Sequence, residues 1–169
     1  MPLVRNGAVT RDPFTFVPDD EGLPEGAILV SAERFAEEAD ALLRRNAPLG
    51  VTWPNNRDVA ELQPYLDRLD LIALSFPKFR DGRAFSQARL LRERYGFKGE
   101  IRATGDVLQD QLLLMVRSGF DGFALAKEAD ATAFDAALKR YSVFYQPTGD
   151  GRRTVREARA AHDAALAEA

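Results

Sequence analysis

The 169-residue sequence contains no cysteine and a single histidine, His162. Without thiols the chain forms no disulfide, offers no thiolate nucleophile, and ligates neither an iron–sulfur cluster nor a zinc–thiolate centre. One histidine is too few for the histidine clusters that bind transition metals. Any metal would therefore be a hard cation that carboxylates hold.

Long apolar runs and nucleotide-binding fingerprints are also absent from the sequence. No run approaches the roughly 20 apolar residues that a membrane helix needs, and no signal-peptide pattern follows Met1. Neither G-x-G-x-x-G nor G-x-x-x-x-G-K-[ST] occurs, so no cofactor is recognisable. The net charge of −3 gives no overall basic excess for nucleic acid. We expect a cytoplasmic protein that binds neither nucleic acid nor a membrane.

Apolar runs alternate along the chain with segments of helical spacing. Such alternation is typical of a parallel sheet with right-handed crossovers. Ser31, Asp106 and Asp130 stand where helix N-caps are expected, and Gly96 and Gly119 stand where helices end. The apolar runs predict five strands, at residues 27–30, 49–53, 71–76, 100–104 and 120–125.

These elements predict an α/β fold whose five-stranded, mainly parallel sheet carries helices on both faces, in a flavodoxin-like order with strand 71–76 at its centre. A partial (β/α) barrel is the alternative, because Gly-Phe-x-Gly recurs at 96–99 and 119–122. We assign residues 27–146 to a single α/β domain. Residues 1–26, with a hairpin turn at Asn6-Gly7, would cover its edge. Residues 147–169 would form a charged tail that is partly helical or mobile.

Charged and small residues crowd the junction between the third predicted strand and its helix. The carboxyl ends of parallel strands meet at one sheet edge, where α/β proteins bind ligands. Helix N-termini at that edge present free N–H groups, so a small oxyanion or a phosphate is the expected ligand. Alternatively, Arg83 and Arg89 pair with neighbouring carboxylates and only fix the loop. The candidate ligand-binding residues are Lys78, Asp81, Gly82, Arg83, Ser86, Arg89, Gly105 and Asp106.

A magnesium site at the same edge is a weaker hypothesis. Asp81, Asp106 and Asp110 could supply carboxylates, which are the ligands that Mg²⁺ prefers. Asp106 is already accounted for as a helix cap, and Asp110 lies one turn further along the same helix. We therefore assign no metal site.

The segment Phe76–Gln111 reads FPxFxDGRxFSxARLLRERYGxxGEIRAxGDVLxDQ. This pattern resembles the signature of a bacterial family of unknown function, DUF934, and the resemblance extends over about residues 27–145. Members of that family are encoded beside assimilatory sulfite reductase and carry the label of oxidoreductases in sulfite reduction. The resemblance thus implies a role in sulfate and sulfite assimilation, with sulfite reductase as a partner.

A redox protein needs a cofactor or redox-active side chains, and the sequence shows neither. We therefore expect an accessory protein of assimilatory sulfate and sulfite reduction that binds a partner enzyme or a small sulfur oxyanion, without redox chemistry of its own. The alternative is an enzyme of sulfite reduction or small-anion metabolism, an oxidoreductase by the family label, that uses the junction from Lys78 to Arg89. No residue is assigned a catalytic role.

Overall fold

The computed structural model describes residues 2–5, 8–78, 80–125, 134 and 136–167. A 3₁₀ segment lies at Val59–Arg68, another lies at Gln109–Gln111, and a π-helical turn at Leu90–Arg94 extends α2. The described helices are α1 (Ala32–Leu43), α2 (Arg83–Arg89), α3 (Leu112–Ser118) and α4 (Val155–Ala167). The described strands are β1 (Leu3–Arg5), β2 (Ala8–Thr10), β3 (Thr15–Phe16), β4 (Ile28–Ser31), β5 (Leu49–Trp53), β6 (Leu71–Phe76), β7 (Glu100–Gly105) and β8 (Gly122–Ala124).

The eight described strands form one mixed sheet in the order β2-β1-β8-β7-β6-β5-β4-β3. Strands β3 to β8 run parallel to one another and follow each other in chain order. Strand β1 is antiparallel to both β8 and β2. The longest pairing joins β6 to β7, from Leu71 opposite Glu100 to Phe76 opposite Gly105.

The short link between β2 and β3 requires the sheet to curl. These two strands are the opposite edges of the sheet. Seven strand spacings would separate them by about 34 Å in a flat sheet. The chain from Thr10 to Thr15 reaches at most about 18 Å. The sheet is therefore a curled half-barrel. Residues 11–14, which we call the chord, cross its concave side from one edge to the other.

The prediction of a five-stranded, mainly parallel, flavodoxin-like sheet is wrong. A flavodoxin-like sheet is open, with helices on both faces and a strand order that reverses. Here the parallel strands keep the order of the chain, and the core side chains of α1, α2 and α3 join a single cluster on one face. Every crossover steps in the same direction, so the helices accumulate on the convex side and the concave side stays free of them.

Successive strand residues divide between these two faces. On the convex face, Ile72, Leu74 and Phe76 of β6 pack with Ala88 and Leu91 from the helix that follows β6. This cluster is the main hydrophobic core. On the concave face, a small cluster consists of Leu29, Leu71 and Ala73, with Phe14 packed against it.

A buried ion network ties the chord to the concave face. The Arg102 side chain is only 3% exposed, and its Nε donates to Glu100 Oε1 at 2.7 Å. Its two terminal nitrogens donate to the Asp12 carboxylate at 2.7 and 3.1 Å. The second oxygen of Glu100 pairs with Arg5 at 3.0 Å. Two cations and two carboxylates thus neutralise each other where residues 11–14 cross the sheet.

The ends of several helices follow the sequence signals. Ser31 caps α1, because its hydroxyl accepts from the Arg34 N–H at 2.9 Å. Gly96 and Gly119 stand where the helices that follow β6 and β7 end, and their φ angles are +68° and +109°. The prediction that Asp106 caps a helix is wrong, because the first helical turn after β7 starts only at Gln109. Asn6-Gly7 and Asp130 lie outside the described residues.

The C-terminal segment is attached to α3 through Arg117. The guanidinium pairs with Asp150 at 3.2 Å and stacks on the Phe144 ring at 4.0 Å. Thr154 then caps α4, since its hydroxyl accepts from the Glu157 N–H at 3.3 Å and donates to the Glu157 carboxylate at 2.9 Å. No helix in the described part of the chain combines the length and the apolar character needed to cross a membrane.

Candidate functional site

Asp81 and Arg83 shape the loop that follows β6. The Asp81 N–H donates to the Lys78 carbonyl at 2.9 Å, which closes a turn. Arg83 Nε and Nη2 donate to the two Asp81 oxygens at 2.9 and 2.6 Å. This two-point fork is the strongest geometry available to an arginine–carboxylate pair. Both charges are thus used to hold the loop in one conformation.

The fork also fixes the ionisation of Asp81. Hydrogen bonding from Arg83 holds the pKa of the Asp81 carboxyl well below its usual range, and the nearby Asn55 side chain lowers the pKa further. Desolvation raises the pKa of Asp81 and is a smaller effect than the hydrogen bonding from Arg83. Asp81 is therefore an anion over the whole physiological pH range, so it offsets the charge of Arg83 and weakens the attraction of this loop for a free anion.

Two buried amide side chains, neither of them predicted from the sequence, lie beneath the loop and support it. Gln87 is 6% exposed, and its Nε2 donates to the carbonyls of Pro54 and Arg57 at 3.1 and 2.8 Å. It therefore joins α2 to the loop after β5. Asn55, also 6% exposed, lies in that loop beside Asp81. Gln87 lies on the buried face of α2 with Ala84 and Ala88. A polar residue among apolar helix positions indicates a buried hydrogen bond, and this pattern could have identified Gln87 from the sequence.

Arg89 and Ser86 lie on the exposed side of α2. Arg89 donates to both oxygens of Glu93, one helical turn further along, at 3.3 and 3.2 Å. An exposed pair at this spacing contributes only a few tenths of a kcal/mol. In contrast, Lys78 forms no ion pair with any described residue. Lys78 is therefore the predicted cation whose charge is most available to a partner.

The turn at Gly105 brings the end of β7 to this loop. Strands β6 and β7 are neighbours, with Phe76 paired to Gly105, and the Asp106 N–H donates to the Phe76 carbonyl at 2.8 Å. The predicted residues on the two loops thus share one edge of the sheet. Together the eight predicted residues Lys78, Asp81, Gly82, Arg83, Ser86, Arg89, Gly105 and Asp106 form what we call the junction surface.

The junction surface is open to solvent. Seven of its eight residues are exposed and only Asp81 is half-buried. Residues 77–89 contain four cations and one carboxylate, and the area keeps a net charge of +1 when Asp106 and the Glu93 partner of Arg89 are included, in a chain whose net charge is −3. A compact basic area on an acidic protein attracts acidic surfaces or anions over roughly a Debye length, about 8 Å at physiological salt.

The concave mouth of the half-barrel is the second place where this fold could hold a ligand, since (β/α) barrels bind substrates at the carboxyl ends of their strands. By strand alternation, the outermost concave positions belong to Ser31, Thr52, Ser75, Thr104 and Ala124. None of these five residues is titratable. Three of their hydroxyls already donate to other protein groups: Ser31 to Asp19, Thr52 to Val30 and Thr104 to Leu74.

Carboxylates do not gather into a metal site in the described part of the chain. No group of three histidine, aspartate or glutamate side chains there has the geometry to hold an ion. Asp81, which the weaker magnesium hypothesis needed, is already held by Arg83. The loop after β8, with Ala126, Lys127 and Glu128, lies outside the described residues.

The sequence matches the model of a known protein family. A family model described as a bacterial protein of unknown function, DUF934, matches residues 50–156. This range covers more than half of the chain and contains β5 without its first residue, β6 to β8 and the whole junction surface. No curated protein matches the sequence.

Proposed function

From the premise that this chain belongs to the DUF934 family of bacterial proteins, we propose that it is an accessory protein of assimilatory sulfite reduction that docks on a partner enzyme, sulfite reductase, through the junction surface. The observation that carries the proposal is the exposed, cation-rich loop after β6, in which residues 77–89 contain four cations and one carboxylate and Lys78 forms no ion pair with any described residue. Such a surface complements an acidic patch on another protein and accelerates encounter with it.

The concave mouth supports a binding role over catalysis. General acid–base and nucleophilic mechanisms need a titratable group within reach of the substrate. The five outermost concave strand residues are serine, threonine and alanine, and the hydroxyls of Ser31, Thr52 and Thr104 are engaged in hydrogen bonds within the protein. These five strand residues could contact a ligand but carry no acid or base of their own, and the Asp19 carboxylate beside them already accepts from the Ser31 hydroxyl.

The pairing of the junction cations favours a protein partner over a free sulfur oxyanion. Arg83 and Arg89 already bind Asp81 and Glu93, so a small anion would have to displace a carboxylate that the chain itself supplies. A protein partner can instead contact the outer sides of these ion pairs together with Lys78. Many weak contacts spread over one surface then give affinity without any single strong anion site.

The direct test is binding of the purified protein to the sulfite reductase of the same bacterium, measured by biolayer interferometry. We expect binding that weakens as the salt concentration rises. Lys78→Glu should weaken it at least about fivefold, because it replaces an attraction by a repulsion. Arg44→Glu is the matched control: it makes the same charge change at an exposed arginine at the end of α1, away from the junction surface.

Equal losses for Lys78→Glu and Arg44→Glu would contradict docking through the junction surface, and absence of binding would contradict the proposed partner. A thermal-shift series with sulfite, sulfate and phosphate addresses the oxyanion alternative. A rise in Tm with sulfite that Lys78→Glu abolishes, without enzyme binding, would replace the docking role by a role in oxyanion binding.

A further inference from the structure

Helix α4 is exposed to solvent over most of its length. It comprises 13 residues, about 20 Å of helix. Val155 and Ala158 are half-buried near its start, and every residue from Arg159 to Leu166 is exposed. Isolated helices of this length are marginally stable in water, even with a good N-terminal cap. A second surface that packs along α4 would therefore stabilise it substantially.

One face of α4 combines apolar and charged side chains in a regular stripe. Val155, Arg159, Asp163 and Leu166 are spaced by four, four and three residues, which places them on the same side of the helix. Tyr145, which is 89% exposed, lies beside this stripe. Tyr145, Val155, Arg159 and Asp163 line an open groove of about 840 Å³. We call this face of α4, with Tyr145, the α4 stripe.

The charges of the α4 stripe are segregated along the helix. Arg159 lies in the first half of α4, whereas Asp163 lies in its second half. Neither Arg159 nor Asp163 forms an ion pair with any other described residue. A surface that is basic at one end and acidic at the other complements its own copy when the copy is reversed.

We infer that α4 pairs in antiparallel orientation with α4 of a second copy of the chain. A two-fold axis at the level of Ala161 makes Arg159 of each protomer face Asp163 of the other, so the pairing forms two symmetric ion pairs. The same axis places Leu166 of each protomer beside Val155 and Tyr145 of the other, where the exposed leucine can enter the groove.

The expected association is weak. One face of a 13-residue helix buries less than the roughly 800 Å² per partner of a standard-size interface. We therefore expect a dissociation constant on the order of 10–100 µM. The protein would be monomeric when dilute and dimeric when concentrated, and added salt should shift it toward the monomer because the ion pairs are exposed.

Charge reversal tests both the pairing and its orientation. In sedimentation velocity, Arg159→Asp and Asp163→Arg should each be monomeric, because each single variant places like charges opposite each other. An equimolar mixture of these two variants should form heterodimers, because one helix is then acidic and the other basic at both positions. The double variant with both substitutions should dimerise like the wild type. Ala161→Asp adds a charge to the opposite face of α4 and should leave dimerisation intact.

Far-UV circular dichroism of each variant at dilute concentration checks that α4 still forms. A single variant can fail to dimerise because its helix is lost and not because like charges meet. The equimolar mixture distinguishes these two causes, because it forms dimers only if the two charges meet across the interface. A wild-type dissociation constant above about 1 mM would overturn the inference. So would dimers that persist in both single variants, or a mixture that stays monomeric. A monomeric wild type whose binding to sulfite reductase is lost in Arg159→Asp would assign the stripe to that enzyme instead.

Discussion

Gly105 shows how a single residue positions one loop of the junction surface. Its φ angle is +87°, in the left-handed region that glycine adopts without steric cost. A Cβ at this position would lie 2.4 Å from the Phe76 carbonyl oxygen. The close approach of the two backbones lets the Asp106 N–H reach that same carbonyl. Glycine is therefore required here both by conformation and by space.

We predict that Gly105→Ala destabilises the protein by about 2–4 kcal/mol, since it adds a steric clash to the strain of a positive φ. Gly26→Ala is the matched control, because Gly26 also has a φ of +87° but a Cβ there would meet nothing within 4 Å. In Gly26→Ala only the strain of the positive φ lowers the free energy of unfolding, by about 1–2 kcal/mol. Urea denaturation measures both. Equal losses for the two variants would show that the Phe76 carbonyl moves away at little cost.

At the level of residues, the sequence predicts which charges gather but not how they pair. The strand-end rule was enough to select Lys78, Arg83 and Arg89. Whether Arg83 and Arg89 bind a ligand or neighbouring carboxylates depends on side-chain geometry, and in the structure they contact Asp81 and Glu93. The supporting role of Gln87 was also missed, because a helix pattern does not show which carbonyls lie across from a buried amide.

Elements with long apolar runs are those that sequence locates best. The predicted bounds of strands 49–53 and 71–76 coincide with β5 and β6, both of which are largely buried. Strands β1 to β3 have only two or three residues each, too few to show a period. Asp106 matched a helix-cap pattern, but the chain turns at Gly105 and buries Val107 first, so helical structure begins three residues after Asp106, at Gln109.

The cap of α1 allows a prediction at the scale of one element. Ser31 accepts from the Arg34 N–H at 2.9 Å and donates to Asp19 at 2.7 Å. Ser31→Ala removes both hydrogen bonds and should lower the free energy of unfolding by about 1–2 kcal/mol. Ser86→Ala is the control, because Ser86 is exposed within α2 and caps nothing. Alanine there should be neutral or slightly stabilising.

Urea denaturation of the two serine variants separates the cap from a general effect of losing a hydroxyl. A Ser31→Ala variant as stable as Ser86→Ala would mean that water replaces the serine at the start of α1. If Ser31→Ala is destabilised but Asp19→Ala is not, the helix N–H accounts for the loss and the bond to Asp19 is incidental.

At the scale of the whole molecule, alternating strands and helices predict parallel pairing but leave the strand order undetermined. Both an open sheet and a curled one satisfy right-handed crossovers. The decisive restraint is the five-step connection from Thr10 to Thr15, which becomes informative only when β2 and β3 are known to be opposite edges. Strand β3 has only two residues, and the predicted hairpin turn at Asn6-Gly7 does not show where its strands join the sheet, so the curl could not be predicted.

The ion network at Asp12 should therefore stabilise the curled shape itself. Asp12 and Phe14 are the contacts of the chord 11–14 with the concave face, and Asp12 neutralises the buried Arg102. Asp12→Asn keeps the shape but removes the charge, so Arg102 retains Glu100 alone, and Glu100 is already shared with Arg5. We predict a loss of about 1–3 kcal/mol in the free energy of unfolding.

Urea denaturation gives the total loss of stability in Asp12→Asn, whereas hydrogen exchange shows which strands are affected. If the chord holds the sheet edges together, amides of β2 and β3 should exchange faster in Asp12→Asn, whereas the central strands β6 and β7 should change only by the global loss. Asp20→Asn makes the same charge change at an exposed position of the N-terminal segment and should leave both measurements unchanged. Uniformly faster exchange in all strands would instead mean that the network contributes to global stability and does not act on the curl.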